Sequence, residues 1–486
     1  MSLFFAVLAL LAGLLYTLSP LYLAVVACVL TLAFVALKGP MWGLLLTTLV
    51  YNIENTALHV QIADGNDHVD YPIYIISLLA TLAGWAIHKA LNRQLNRQPT
   101  PLDLPLMALF LYQGVSLLWT PSLVLGLHFF LLLCINALMF YLLTAIIKTT
   151  RQLKAVITFM AVSALIHTVS VFISQWYTPH AEVKFTKNVV FSYFALWQMD
   201  SRPWGLGGGP TMSGFVVAVI IFMLAFLVNA GGKKRIGIAA VTVILSYSIV
   251  LMGVRAAFIA LVPAFFLFFW LHQPSRARFI RYSLLCITIM LLIVITATPG
   301  FIDRMLVGFG YRGEPIFTKK SSQHSGSTAK LSSQREGVTG MKIRKQMWLD
   351  GLHYMQGHPY TFVSGMGIGG LVHVSPNTPR EIHSLLLAFF FDMGLVGIVM
   401  LIYICYVLFG HMYYMHGRLD RGLLSGLKSA SYVVLLTVFC VEGLVWFDIN
   451  SPSSRYVWFL LGLHMAIVAI KDKTEGTMVQ KTINRV

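Results

Sequence analysis

Apolar stretches long enough to cross the hydrocarbon core of a bilayer, about 20 residues each, recur from one end of this chain to the other. No other feature limits the fold as much. In lipid a segment of that length must satisfy its backbone polar groups internally, and a helix does so. Of the 486 residues, 57% are hydrophobic and 11% charged, which excludes an ordinary soluble domain. The expected fold is all-α: a polytopic integral membrane helical bundle of about fourteen transmembrane helices with a large outer loop containing short helices. The expected divisions are 1–299 (first part of the bundle, N-terminus cytoplasmic), 300–382 (the large loop) and 383–486 (C-terminal helices and cytoplasmic tail).

The first segment, "SLFFAVLALLAGLLYTL", has no basic leader and no small-residue cleavage site after it, so it is expected to be a retained helix. The five cysteines all fall in apolar segments, as packing residues rather than a disulfide framework or a metal cluster.

Charge sets the orientation. With a cytoplasmic N-terminus, the inner loops and tail hold 20 of the 35 Lys and Arg residues, and four acidic ones: Asp103, Asp420, Asp472 and Glu475. The net charge of +17 is then almost entirely cytoplasmic, as the positive-inside rule requires. Nucleic acid is not needed as a partner to explain it.

Three outer segments are too long to be turns: Glu54 to Asp70, Tyr177 to Thr211, and Gly300 to Ile382. Long loops on a compact bundle commonly carry function. The largest contains "MKIRKQMWLDGLHYMQGHP", where Ile343, Met347, Leu352 and Met355 fall near one helical face. Such a helix suits the side of the bundle or the lipid interface. The glycines of "SGMGIGG" permit tight backbone, but without a preceding strand and following helix they do not make a nucleotide loop.

Three residues stand where chemistry is possible. Arg255, in "LMGVRAAFIAL", has almost no polar company. A cation there is either a headgroup anchor or an inward-facing anion site. Arg202, in "DSRPWGLGGGPTMSG", precedes a helix whose first N–H groups favour anions, although a structured turn explains it equally. His383 stands at the junction of loop and helix in "REIHSLLLAFFFDMGLVG". Its pKa of about 6.5 suits a base, and a plain helix-end residue is the alternative. Asp392 is not its partner: nine residues at about 100° each put the two on opposite faces, about 13 Å apart along the axis. Asp392 is expected to be a structural carboxylate well inside the membrane. The sequence has no DxD pair in an outer loop, no HExxH, no GxSxG and no Walker motif.

Together these stretches resemble the O-antigen ligase and O-antigen polymerase superfamily of bacterial inner-membrane proteins. His383, Ser384, Asp392, Gly394 and Gly397 keep the register of that family's loop-end histidine and the following helix, with Asp where Glu is usual. "GVRAAFIAL" is similar to its "SRG" turn, with Val254 in place of the serine, and "SRPWGLGGGP" to its earlier "R..G" segment. "RKQMWLDGLHYMQGHPYTFVSGMGIGG" is similar to its loop helix and "P..G.G", with extra residues between Pro359 and Gly365.

The resemblance implies glycan transfer at the periplasmic face from undecaprenyl diphosphate to a lipid- or glycan-hydroxyl acceptor, with inversion. It implies His383 and Arg255 as catalytic residues and Arg202 as substrate-binding, helped by one of Arg304, Arg312 or Arg344. No metal and no cofactor is called for. Arginine suits the role because it gives permanently charged, bidentate contacts to phosphate. A protein O-oligosaccharyltransferase is an alternative within this chemistry. A lipid-linked glycan or small-molecule transporter is the alternative outside it, and it expects charges deep in several helices. The spans here are nearly free of them except Asp392 and Glu442.

Overall fold

The computed structural model describes residues 34, 39–51, 57–61, 68–91, 99–174, 181–186, 189–193, 197–199, 202–205, 209–252, 254–272, 345–375, 384–416, 422–442 and 455–470, with isolated positions between 277 and 288. The first apolar segment lies outside them. Seven helices among the described residues are long and apolar enough to cross a membrane, and three shorter apolar helices accompany them. The expected total of about fourteen also draws on segments outside the described residues.

Two compact units are formed, 1–97 with 145–209 and 98–144 with 210–486. In the first, α1 (Pro40–Val50) packs against α2 (Ile73–Leu91) and α5 (Thr150–Ser174). With lipid outside, hydrophobic burial does little to hold helices together, and small polar contacts do more. Thr47 Oγ1 lies 3.0 Å from both Ser77 Oγ and Thr81 Oγ1 on α2, and Ser163 Oγ of α5 donates to the Leu49 carbonyl at 2.7 Å.

Strands join the helices here, in loops where none was expected. β1 (Ala57–Gln61) pairs with β2 (His68–Pro72) and also with β4 (Val189–Tyr193), which pairs with β3 (Ala181–Thr186). The result is a four-stranded antiparallel sheet of order β2-β1-β4-β3, made from the first two long loops. A second, two-stranded sheet pairs β5 (Trp197–Met199) with β6 (Arg202–Gly205). The all-α expectation thus holds for the spans and is corrected for these two loops. Their alternation of apolar and polar residues, as in "ALHVQ" and "AEVKFT", is the strand signal.

The second unit contains α3 (Asp103–Ser116), α4 (Leu123–Ile146), α6 (Gly209–Asn229), α7 (Gly232–Met252) and α8 (Arg255–His272). Helix α8 runs on through Pro263. The loop contributes α9 (345–357), α10 (Thr361–Ser364) and α11 (Gly370–Val374). The last helices are α12 (Leu385–His416), α13 (Leu423–Thr437), extended by a π turn over Val438–Glu442, and α14 (Arg455–Ala469). The described cysteines Cys134, Cys405 and Cys440 are free thiols.

Packed pairs give the directions of these helices. A Cβ at Gly426, near the start of α13, would touch Ala225 and Asn229 at the end of α6 and His272 at the end of α8. Phe215, near the start of α6, meets Phe459, near the start of α14, with ring centroids 6.1 Å apart. Phe110 of α3 stacks on Trp458 at 5.9 Å. The starts of α6, α8 and α14 therefore lie at one end of this unit, together with the end of α3.

Candidate functional site

Arg255 is the first residue of α8. Val254 before it is buried, and its carbonyl accepts the Phe258 N–H at 3.3 Å, so the helix is already closed at this point. The sequence reading put Arg255 in a turn between two membrane helices; the structure begins α8 at this residue. Arg202 opens β6, opposite Met199 in the two-stranded sheet, and belongs to the first unit. Arg304, Arg312, Arg344 and His383 lie outside the described residues. The position just after His383 is described. Ser384 is buried, its carbonyl accepts the Ala388 N–H at 2.8 Å, and its hydroxyl reaches the Leu387 N–H at 3.5 Å. It is the cap from which α12 starts.

The loop that precedes this helix is held at the same end of the unit. Tyr112 donates its hydroxyl to the Ser364 carbonyl at 3.0 Å, Thr120 Oγ1 donates to the Ile368 carbonyl at 3.0 Å, and the Ile368 N–H donates to Ser116 Oγ at 3.1 Å. From the other side, the Met366 and Gly367 N–H groups donate to the Phe391 and Asp392 carbonyls of α12 at 2.7 and 3.1 Å. Carbonyls inside a helix are normally occupied. These are open because Gly394, at φ 63° and ψ −150°, breaks α12. Gly365, at φ 75° and ψ 175°, faces the break, and a Cβ there would run into the Asp392 carbonyl. Both glycines occupy a backbone region essentially closed to other residues.

The glycine cluster is therefore a docking turn, and every residue from Gly365 to Gly370 is buried. Asp392 is buried at the same junction, in keeping with a structural role.

Above this turn α9 lays Met347 and Met355 into a buried cluster with Met366, Leu371, Ala388 and Phe391. The buried positions are 347, 351 and 355, and Leu352 is 37% exposed. The expected face is correct for the two methionines and is corrected at Leu352, where Gly351 takes the inner position so that Leu371 and Phe391 can approach the helix. Asp350 ties the loop together, accepting from Gln346 Nε2 and Ser375 Oγ at 2.7 Å each. On the exposed side His358 stacks on Tyr354, with ring centroids 4.4 Å apart. Burial raises the Tyr354 phenol above its ordinary pKa, and Tyr360 adds to the shift.

One residue at this end escaped the sequence reading. Arg455 opens α14 and is 1% exposed. Gln113, at the same end of α3, is fully buried. The signal for Arg455 was available, since "SSRYVWFLLGL" repeats the pattern of a lone cation before an apolar helix that singled out Arg255.

The backbone thus brings Arg255, Arg455, the cap of α12 and the docked glycine turn to one end of a helical membrane unit. Residues 240–402 match the O-antigen ligase family model. The matched segment runs from within α7 through α8 and the loop into α12, and so contains Arg255, the glycine turn, His383 and Gly394. The match supports the O-antigen ligase and polymerase superfamily for this chain. The match covers about a third of the chain and is consistent with an enzyme of ligase or polymerase type, and the seven long apolar helices fit a multi-pass membrane protein. No curated protein matches the chain.

Proposed function

We propose that this chain is a metal-independent inverting glycosyltransferase. It moves a glycan from undecaprenyl diphosphate to an acceptor hydroxyl at the periplasmic face, in the manner of an O-antigen or exopolysaccharide ligase or polymerase of the bacterial inner membrane. The observation that carries this reading is the O-antigen ligase match across 240–402, which encloses both Arg255 and His383. Arg255, with one of Arg304, Arg312 or Arg344, holds the diphosphate and neutralises the charge it gains as it leaves. The first N–H groups of α8 have no intrahelical carbonyl to bind, which adds to anion binding beside Arg255.

His383 takes the proton of the acceptor hydroxyl. The oxygen attacks the anomeric carbon from the face opposite the diphosphate, a new glycosidic bond forms, and the bond from carbon to phosphate oxygen breaks. The products are the extended acceptor and undecaprenyl diphosphate.

The test is transfer from purified lipid-linked glycan by the His383→Ala protein. General-base loss lowers the rate about 10²- to 10⁴-fold, whereas a folded variant working at the wild-type rate removes His383 from the mechanism. The lipid-linked species that accumulate in a deletion strain separate the subtypes. Capped single repeats mean a lost polymerase, and long unattached chains mean a lost ligase.

A further inference from the structure

Helix α12 consists of two helical segments joined at Gly394, whose backbone is not helical. The segment after the break, 395–416, rises about 33 Å at 1.5 Å per residue, close to the hydrocarbon core of about 30 Å. Side-chain exposure tells which part stands in lipid. Leu395, Val399, Ile402 and Tyr406 are exposed by 54%, 66%, 63% and 71% and form one stripe at helical spacing. Before Gly394 the pattern reverses. Leu385, Ala388, Phe389, Phe391 and Met393 are buried, and among the large apolar side chains of that stretch only Leu386 is exposed. The protein's own loop covers this part, with Ala388 and Phe391 in the cluster of α9. The lipid-facing portion therefore begins at Gly394.

Helix α10 sits at that level. Gly394 faces the Val363 carbonyl and the Gly365 amide, and Tyr112 of α3 binds the Ser364 carbonyl. Helix α3 has its own exposed apolar stripe at helical spacing, Leu104, Met107, Leu111 and Val115, which continues to Leu118 in the following turn. The loop elbow is thus bound to both α3 and α12 where their lipid-facing stripes end. There it exposes Tyr360 by 60% and Val363 by 56%, three residues apart on one side of the helical turn.

We infer that the elbow Pro359–Ser364 is seated in the edge of the bilayer, with Tyr360 and Val363 against lipid, and that it fixes the depth of the large loop. The partner is the lipid surface because the exposed pair continues two lipid-facing stripes. An amphipathic tyrosine beside an aliphatic residue also suits the boundary between headgroups and acyl chains. Asp392, two residues before Gly394, then lies at the membrane edge under the loop rather than deep in a span. Ser384, ten residues before Gly394, then belongs to the segment that the loop covers, on the other side of the break from the lipid-facing part. This placement goes beyond the proposed transfer chemistry and holds whatever group the protein moves.

The test uses a nitroxide at Val363→Cys in full-length protein whose five native cysteines are replaced by Ala. The protein is reconstituted in nanodiscs of phosphatidylethanolamine and phosphatidylglycerol. Leu395→Cys serves as the lipid reference and His353→Cys, on the exposed side of α9, as the aqueous one. Power-saturation EPR compares access by oxygen with access by a water-soluble nickel chelate. Val363→Cys is expected to follow the Leu395 label, with an oxygen-to-nickel ratio several-fold above that at His353. A ratio equal to that at His353 overturns the inference. Tyr360→Cys gives the same reading if the Val363 variant does not fold. Loss of transfer in His383→Ala leaves this measurement unchanged, so the two conclusions fail separately.

Discussion

Gly365→Ala is a single methyl group placed where the loop meets the break in α12. The new Cβ meets the Asp392 carbonyl and the Met393 amide, which are backbone atoms and cannot swing aside. The residue must also keep φ 75° and ψ 175°, at a cost of about 1–3 kcal/mol. Relief of the clash requires the loop to lift from α12, which breaks the Met366–Phe391 and Gly367–Asp392 hydrogen bonds, each worth about 1 kcal/mol. The total is about 3–5 kcal/mol, or roughly two to three and a half orders of magnitude in the docked population.

Hydrogen exchange reads this directly, because the amides of Met366, Gly367 and Ile368 are all hydrogen-bonded in the docked state. In Gly365→Ala they should exchange about 10²- to 10³-fold faster, while amides in α4 keep their rates. Gly357→Ala is the control, since nothing lies within 4 Å of a Cβ at that position, and it should leave protection unchanged. If Gly365→Ala exchanges at the wild-type rate, the docking turn does not hold the loop and the argument built on its glycines fails.

Arg255→Lys keeps the charge but loses the bidentate contact, so the transfer rate should fall at least about tenfold; an unchanged rate returns Arg255 to the role of headgroup anchor. Thr47→Val removes two contacts between α1 and α2 and should cost about 1 kcal/mol, measured by unfolding in mixed micelles. His464→Phe removes the 2.9 Å contact with Ser431 Oγ between α14 and α13; a loss of about 1 kcal/mol is expected, read as a lower melting temperature with the transfer rate retained in the folded fraction. Arg455→Ala empties the volume of a fully buried arginine and should lower stability by about 3 kcal/mol or more.

The helices were legible because lipid leaves a chain few options. Twenty apolar residues must be helical, and their spacing and flanking charges follow. The glycine turn was legible only as a permission for tight backbone, because its purpose depends on Gly394, 29 residues later. No local pattern says that the two glycines face each other.

Leu352 was placed on the inner face by spacing alone, since a glycine counts for nothing in an apolar stripe. In the structure Gly351 leaves room for the Leu371 and Phe391 side chains to approach α9. The strands were hidden by their partners: β1 is a weak five-residue signal until β4 arrives from far along the chain. Arg455 repeated a pattern already noticed at Arg255 and was passed over because no resemblance pointed to it.

The pairing of β1 with β4 also fixes an arithmetic of crossings. Two strands in one sheet share one side of the membrane, so the chain between β2 and β3 must traverse it an even number of times. Helices α2, α4 and α5 are each long enough to do so, which makes three. The fourth must be α3, only 14 residues long. At 1.5 Å per residue that helix rises about 21 Å, against a hydrocarbon core of about 30 Å.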